Sequence, residues 1–497
     1  MRHDQLVLAP AFVALALACG VTGCEGCASS SSVDASRGLA EAADGGEDAA
    51  PAASFADALT GHRQLIYSGD LDEVKKRKVL RVILRNNSTS YFLFRGDEVG
   101  FEYELALQLA KELGVRLEVV PARTRRDMIP MLLEGKGDLI AAGMPLSTAR
   151  AERVVFTRPY MTVRNQVVVR KGRRPPLTKP EDLVSELVHV RRNSAAFKRL
   201  RALGELLGHT IPIAAVPEYM EVEDLIEQIA SGEIPVTVAR SDFIDAELTW
   251  RDDIEVAFSL DGEDEIAWAV RPENSKLKEG VDAFFTRHRK DVLFNTLHAK
   301  YFRSPKRAAV LRDDEVRADR GGRVSPYDDL LKQAAQQHNL DWRLLAAQMF
   351  QESRFEPTAR SWAGAEGLMQ LMPSTAAQLG VTDLGDPAQN IEAGARYLRK
   401  MIDGFSEELE LKERIRFALA SYNCGRGHID DARALSRRLG YDANRWFGNT
   451  EKAMLLLSRP RYYSASKHGY CRGEEPVRYV SQIQTRYDAY VGVTGNP

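Results

Sequence analysis

Residues Gln351 to Val381 read Q-E-S-R-F-E-P-T-A-R-S-W-A-G-A-E-G-L-M-Q-L-M-P-S-T-A-A-Q-L-G-V. Just upstream, Trp342 to Phe350 lacks Gly and Pro and is rich in helix formers, with Asp341 placed as an N-cap. Leu345, Met349 and Glu352 fall at i, i+4 and i+7 and share one helical face, so an apolar stripe ends in a carboxylate. Ser353, Phe355 and Pro357 predict that the helix stops within a turn, leaving Glu352 near its electronegative C-terminal end. Burial and the helix dipole would both disfavour the ionised form there and raise its pKa, which is what a general acid needs. The same spacing also fits an amphipathic helix whose glutamate escapes to solvent. Spacing alone leaves both readings open.

The whole chain sets the bounds. Its 497 residues suffice for about three domain-sized units. With 68 basic and 70 acidic residues the net charge is -2, so no global field points to nucleic acid. Cys19, Cys24 and Cys27 crowd the N-terminus, and the next cysteines are Cys424 and Cys471. That distribution excludes a disulfide scaffold. No His/Cys cluster has zinc-ligand spacing, and neither a metal nor a cofactor is expected.

Arg2 and His3 precede an apolar run from Leu6 to Val21, short for a permanent span and interrupted by Pro10. Residues 1–24 therefore read as an export signal. Val21-Thr22-Gly23-Cys24 resembles a bacterial lipobox, which implies lipidation at Cys24. Glu25 rather than Asp follows, so no inner-membrane retention signal is evident, and the outer membrane's periplasmic face is the expected location. Residues 25–60, mostly Ala, Ser, Gly, Asp and Glu, cannot bury enough apolar surface to offset chain entropy and read as a disordered tether.

From 61 to 304 strands alternate with helices. Val79–Leu84, Val115–Val120 and Gly137–Gly143 read as strands, with helices at Gly100–Leu113 and around Arg126–Leu133. A second set follows, with strands near Val188–Val190, Ile211–Ala215 and Val236–Ala239, then Glu265–Val270, and helix over Asn274–Ser304. The order predicts a mostly parallel sheet. G-F-E-Y-E-L-A-L-Q-L-A-K-E-L-G-V, G-D-L-I-A-A-G-M and S-T-A-R-A-E-R-V-V-F-T-R-P-Y resemble the family 3 extracellular solute-binding proteins. The resemblance implies a two-lobed α/β domain with a ligand cleft, in which Arg150 clamps a ligand carboxylate. The family's acid for a ligand amine is expected near Arg240, leaving Asp242 as the substitute.

Residues 305–324 are charged and contain Gly321-Gly322, as a connector would. From 325 to 497 the sequence reads as mostly helical. Besides the opening stretch, N-I-E-A-G-A-R-Y-L, A-S-Y-N-C-G-R-G-H-I-D-D-A-R, Arg461-Tyr462-Tyr463 and E-P-V-R-Y-V follow in order. Together these resemble the soluble lytic transglycosylase domain, a lysozyme-like fold. Behind a lipobox and a solute-binding domain, that arrangement resembles the membrane-bound lytic murein transglycosylase F group. The resemblance makes Glu352 the sole catalytic acid/base of a peptidoglycan lyase giving 1,6-anhydro products. An ordinary glycosidase would need a second carboxylate; Glu356 and Glu366 look loop-exposed. Ser361, Met369, Gln370, Tyr422, Asn423 and Tyr479 match substrate-contacting positions, and Gly364 and Gly367 backbone ones. Cys424 and Cys471 flank blocks the family brings to its cleft, which implies a disulfide in an oxidising periplasm, with two buried thiols as the alternative. The expected partners are peptidoglycan strands, a muropeptide or amino acid in the two-lobed domain, and a membrane.

Overall fold

The computed structural model describes residues 58–59, 66–305, 316 and 322–494, and two compact units divide the chain. The export signal with Cys24, the tether up to 57 and most of the connector lie outside the described residues. Among the described residues no helix is long and apolar enough to cross a membrane.

The α/β region begins with α1 (Leu71–Arg77), β1 (Val79–Arg85), β2 (Phe92–Phe94), β3 (Asp97–Val99), α2 (Phe101–Leu113), β4 (Arg116–Ala122), α3 (Met128–Leu133), β5 (Leu139–Pro145), α4 (Thr148–Ala151), β6 (Val155–Phe156) and β7 (Met161–Arg170). It continues with β8 (Val188–Arg191), α5 (Ala195–Leu207), β9 (Ile213–Val216), α6 (Val222–Ser231), β10 (Val236–Arg240), α7 (Ser241–Leu248), β11 (Ile254–Val270), α8 (Ser275–His288) and α9 (Val292–Phe302). Among the described residues one nine-stranded sheet runs in the order β4-β1-β5-β11-β7-β10-β8-β9, with β6 beside β11. β1 is parallel to β4 and β5, and β8 is parallel to β9 and β10.

Strand periodicity explains the layering. Leu80, Val82 and Leu84 enter the core beneath α1, α2, α8 and α9, whereas Ile83 joins the opposite core with α3. In the second lobe Val167 and Val169 pack on the α5 side and Val168 on the α6 side. Fully burying one such aliphatic side chain contributes about 1.5–3 kcal/mol, so these double-sided strands fix both lobes.

The lobes are joined by β7 and β11, which pair antiparallel along their length, with register shifts at Val256/Phe258 and Ser259/Glu263. Sequence reading places no strand at β7 and begins the last strand at Glu265. The structure extends it back to Ile254, because the turn-like Asp261-Gly262 is carried inside the strand as an irregularity rather than ending it. A mostly parallel sheet is also an oversimplification: β11 runs antiparallel to β5, β6 and β7. These two connecting strands supply the antiparallel part.

The helical region comprises α10 (Asp328–Gln337), α11 (Trp342–Ser353), α12 (Pro373–Gln378), α13 (Pro387–Asp403), α14 (Leu411–Cys424), α15 (Arg426–Leu439), α16 (Glu451–Leu456), α17 (Pro460–Tyr463) and α18 (Glu474–Thr494). Residues 325–327 form a turn ahead of the first helix. Asp328 accepts from the Val324 and Ser325 amides (2.9 and 2.8 Å), which holds that turn in front of it. Phe417 of α14 meets Phe405 and the fully buried Trp446 (centroids 5.6 and 5.9 Å), tying α14 to its neighbours.

Candidate active site

Glu352 sits in the last turn of α11, a helix more deeply set than its sequence stripe implies. Every residue from Arg343 to Phe350 is buried, including the polar Arg343 and Gln348. The helix stops because Arg354 and Phe355 take left-handed backbone conformations (φ 53° and 66°), uncommon for residues with a Cβ. Such strain collects at functional sites. Glu352 keeps a partly exposed edge. Burial of the carboxyl pushes its pKa up to about 8, and the Tyr479 hydroxyl, donating to Oε1, pulls in the opposite direction. Tyr479 comes from α18 and is itself buried.

Tyr422 lies close enough for the Glu352 charge to help hold its phenol protonated, after burial as the first cause. Its hydroxyl donates to the Met369 carbonyl at 2.8 Å, and Tyr397 packs edge-on against its ring (5.3 Å). Tyr422 and Tyr479 therefore both lie beside the carboxyl.

The loop between α11 and α12 is held by its own backbone. Ser361 N donates to Ala365 O (2.9 Å), and Ser361 Oγ accepts from Ala365 N (2.9 Å). Gly367 has φ 78°, and an added Cβ would lie 2.2 Å from Asn390 Nδ2, so both conformation and space demand glycine. Asn390, fully buried, accepts from Met369 N (2.8 Å) and donates to the carbonyls of Leu384 and Glu366 (2.9 and 3.2 Å). Sequence reading quoted Asn390 inside a block without giving it a task. An Asn pointing inward at the start of an apolar helix face was the available signal.

Two expected substrate contacts are placed differently. The Met369 side chain is completely buried against Gly394, so it packs the core and reaches the site only through its carbonyl. Gln370, at φ 48°, spends its side-chain NH2 on Ala359 O and Gly367 O (both 2.9 Å). It braces the loop through that NH2. Asn423 is half-buried beside Tyr422.

Among the described residues, the two carboxylates nearest in sequence differ from Glu352. Glu356 is exposed, and hydrogen bonds from Thr358 hold it below the usual range. Glu366 pairs with Arg360 at 3.1 Å. Cys424 and Cys471 are both free thiols. Hydrogen bonding with Cys471, together with burial, pushes the Cys424 thiol well up, so the two groups are neighbours.

In the α/β region the cleft between the lobes encloses about 390 Å³. Arg150 lines it and donates to Pro145 O (2.7 Å). Arg240 also lines it, but it is bound to Asp242 (3.0 Å) and to Gly143 O (2.6 Å). Asp242 therefore neutralises Arg240 and is not a spare acid for a ligand amine. Across the cleft, Glu221 accepts from Arg125 (2.7 and 3.0 Å) and Arg85 (2.5 Å). Burial pushes Glu221 up, but the two guanidinium groups prevail and hold it at about 2.

Comparison with known proteins bears on both regions. Residues 80–304 match the bacterial extracellular solute-binding proteins, family 3, and residues 329–444 match the Transglycosylase SLT domain. A membrane-bound lytic murein transglycosylase F from Desulfosudis oleivorans is 35% identical over 416 residues, covering 84% of this chain and 90% of its own. The protein of that name from Stutzerimonas stutzeri is 34% identical over 429 residues, covering 86% and 87%. The chain belongs to the membrane-bound lytic murein transglycosylase F family. Among solved structures, holo ArgBP from T. maritima is 26% identical with a TM-score of 0.39, covering 46% of this chain and 97% of its own. Relative to the family matches, Glu352, Ser361, Tyr422 and Asn423 fall inside the SLT span and Arg150 inside the solute-binding span. Tyr479, which grips Glu352, lies beyond residue 444.

Proposed function

We propose that the chain is a lytic murein transglycosylase that cuts the β-1,4 bond between N-acetylmuramic acid and N-acetylglucosamine and leaves a 1,6-anhydro end. Glu352 carries this reading: one carboxyl, raised to about 8 by burial and oriented by Tyr479, with neighbouring carboxylates committed elsewhere. A neutral carboxyl at pH 7 is a competent general acid. It gives its proton to the departing N-acetylglucosamine O4 as the C1–O4 bond breaks. The resulting carboxylate, stabilised by the Tyr479 hydroxyl, takes the proton of the muramoyl 6-hydroxyl while that oxygen bonds to C1. Glu352 ends protonated and no water is consumed, which accounts for a single carboxylate. Ser361, the Gln370 amide oxygen, Tyr422 and Asn423 are the proposed sugar contacts. Digested sacculi analysed by mass spectrometry should yield anhydro-muropeptides, and Glu352→Gln should yield none. Reducing-end products alone would make the protein a hydrolase.

The proposal extends to the rest of the chain: 61–304 forms a ligand-binding domain that regulates the lyase at 325–497, with Arg150 clamping a wall-derived peptide or amino acid. Muropeptides should alter turnover on sacculi, and Arg150→Ala should remove that response. The family places the protein in the cell envelope. Within it, lipidation at Cys24 on the periplasmic face of the outer membrane is the proposed anchor, and Cys24→Ala should abolish partitioning into detergent.

A further inference from the structure

Among the described residues three guanidinium groups line the cleft of the α/β region without a carboxylate in ion-pair contact; Arg153 is exposed to solvent, whereas Arg150 is half-buried and Arg191 buried. Arg150 belongs to the first lobe and spends an Nη1–H on Pro145 O (2.7 Å). Arg191 ends β8 in the second lobe, is 8% exposed, and spends an Nη1–H on Met220 O (2.7 Å). A guanidinium carries five N–H donors, so each has most of its hydrogen-bonding capacity uncommitted, and an unpaired buried charge is costly. Acids near Arg191 are engaged otherwise. Glu221 is held by Arg85 and Arg125 and Glu218 by Asn193 (2.7 Å), while Glu223 accepts from Ser88 on Oε1 only and burial pushes it toward its neutral form. Burial and the neighbouring Arg125 accordingly depress the Arg191 pKa to about 10. Arg240, by contrast, is neutralised by Asp242. Glu102, the other buried acid lining the cleft, accepts from Tyr160 and from Trp268 Nε1 (2.7 Å).

A second feature lies beside Arg191. The 13-residue helix α5 starts four residues further on, capped by Ser194, and Ala195 and Ala196 line the same cavity. A helix N-terminus favours negative charge, here next to a guanidinium more than nine-tenths buried.

We propose that the cleft takes a ligand with two carboxylates, one held by Arg150 in the first lobe and the other by Arg191 with the α5 N-terminus in the second. Short acidic peptides belong to this class, and a cavity of about 390 Å³ is within the usual range for such ligands. A ligand gripped from both lobes bridges them. The inference rests on reading the cleft as a ligand site and adds which chemistry selects the ligand.

The test uses the dipeptides alanyl-glutamate and alanyl-glutamine, which differ only in the second carboxylate, each with L- and D-configured second residues. Titration calorimetry on the full chain should show one diastereomer of alanyl-glutamate binding about 10- to 100-fold more tightly than its glutamine counterpart. Arg191→Gln should erase that preference while leaving alanyl-glutamine affinity unchanged, whereas Arg150→Gln should weaken both. An Arg191→Lys protein with parental melting temperature and intermediate preference would separate lost charge from lost fold. Equal binding of both dipeptides, or a preference that survives Arg191→Gln, overturns the second anion site alone. No binding of any dipeptide at millimolar concentration overturns it together with the reading of the cleft as a peptide or amino-acid site.

Discussion

At Glu352 burial and the Tyr479 hydroxyl act in opposite directions, and burial prevails. Activity on sacculi should therefore fall as pH rises through about 8, where the acid form is lost. The raised pKa also has a stability cost. The folded state binds this proton more tightly than the unfolded chain, so its contribution is fully present below pH 4.5 and disappears as pH rises through about 8. Glu352→Gln should abolish the anhydro product yet melt higher than the parent at pH 9, by a margin on the order of 2–3 kcal/mol after allowance for the exposed edge. At pH 4 the two should melt alike. Tyr479→Phe removes the influence that lowers the pKa, so the alkaline limb of its pH–rate profile should move upward while its maximum rate drops. Glu352 was legible because a carboxylate ended a helical stripe and ordered motifs followed. Arg191 was not, because its isolation is a matter of what fails to reach it in space.

At the scale of elements, the loop from Ala359 to Leu371 depends on α13. Asn390→Ala would leave the buried Met369 amide unpaired and remove the partner of the half-buried Leu384 carbonyl, whereas Glu366 O keeps the Leu371 amide. The expected loss is about 2–4 kcal/mol by denaturant melting, with reduced turnover because Met369 O positions Tyr422. Cys424 ends α14 and Cys471 precedes α18, the helix that delivers Tyr479. Transfer of two electrons and two protons from these thiols to an oxidising protein disulfide would tie the two segments. Protein from an oxidising envelope should then gain two alkyl groups only after reduction; equal masses with and without reductant would mean that it keeps free thiols. Helices were readable here from caps and apolar period. The connecting strands were not. In β7 the alternating Thr162-Val163-Arg164-Asn165 hides a strand among polar residues, and the register shifts of β11 look like a turn when read along one dimension.

For the whole molecule, the division into an α/β region and a helical region was visible where strand–helix alternation stopped. The ion pairs that join the lobes were not visible, since they depend on residues far apart in the chain. The fully buried run from Arg343 to Phe350 has a further consequence for heat inactivation. A helix buried on every side over eight residues has little local route to fraying there, and the amides of that run should exchange only when the surrounding core opens. The acid that it carries should then remain in register until that core melts. Residual lyase activity and helical circular dichroism should decline over the same temperature interval, and activity that faded well below the melting transition would contradict this. Heat would remove the catalyst and its scaffold in one cooperative event.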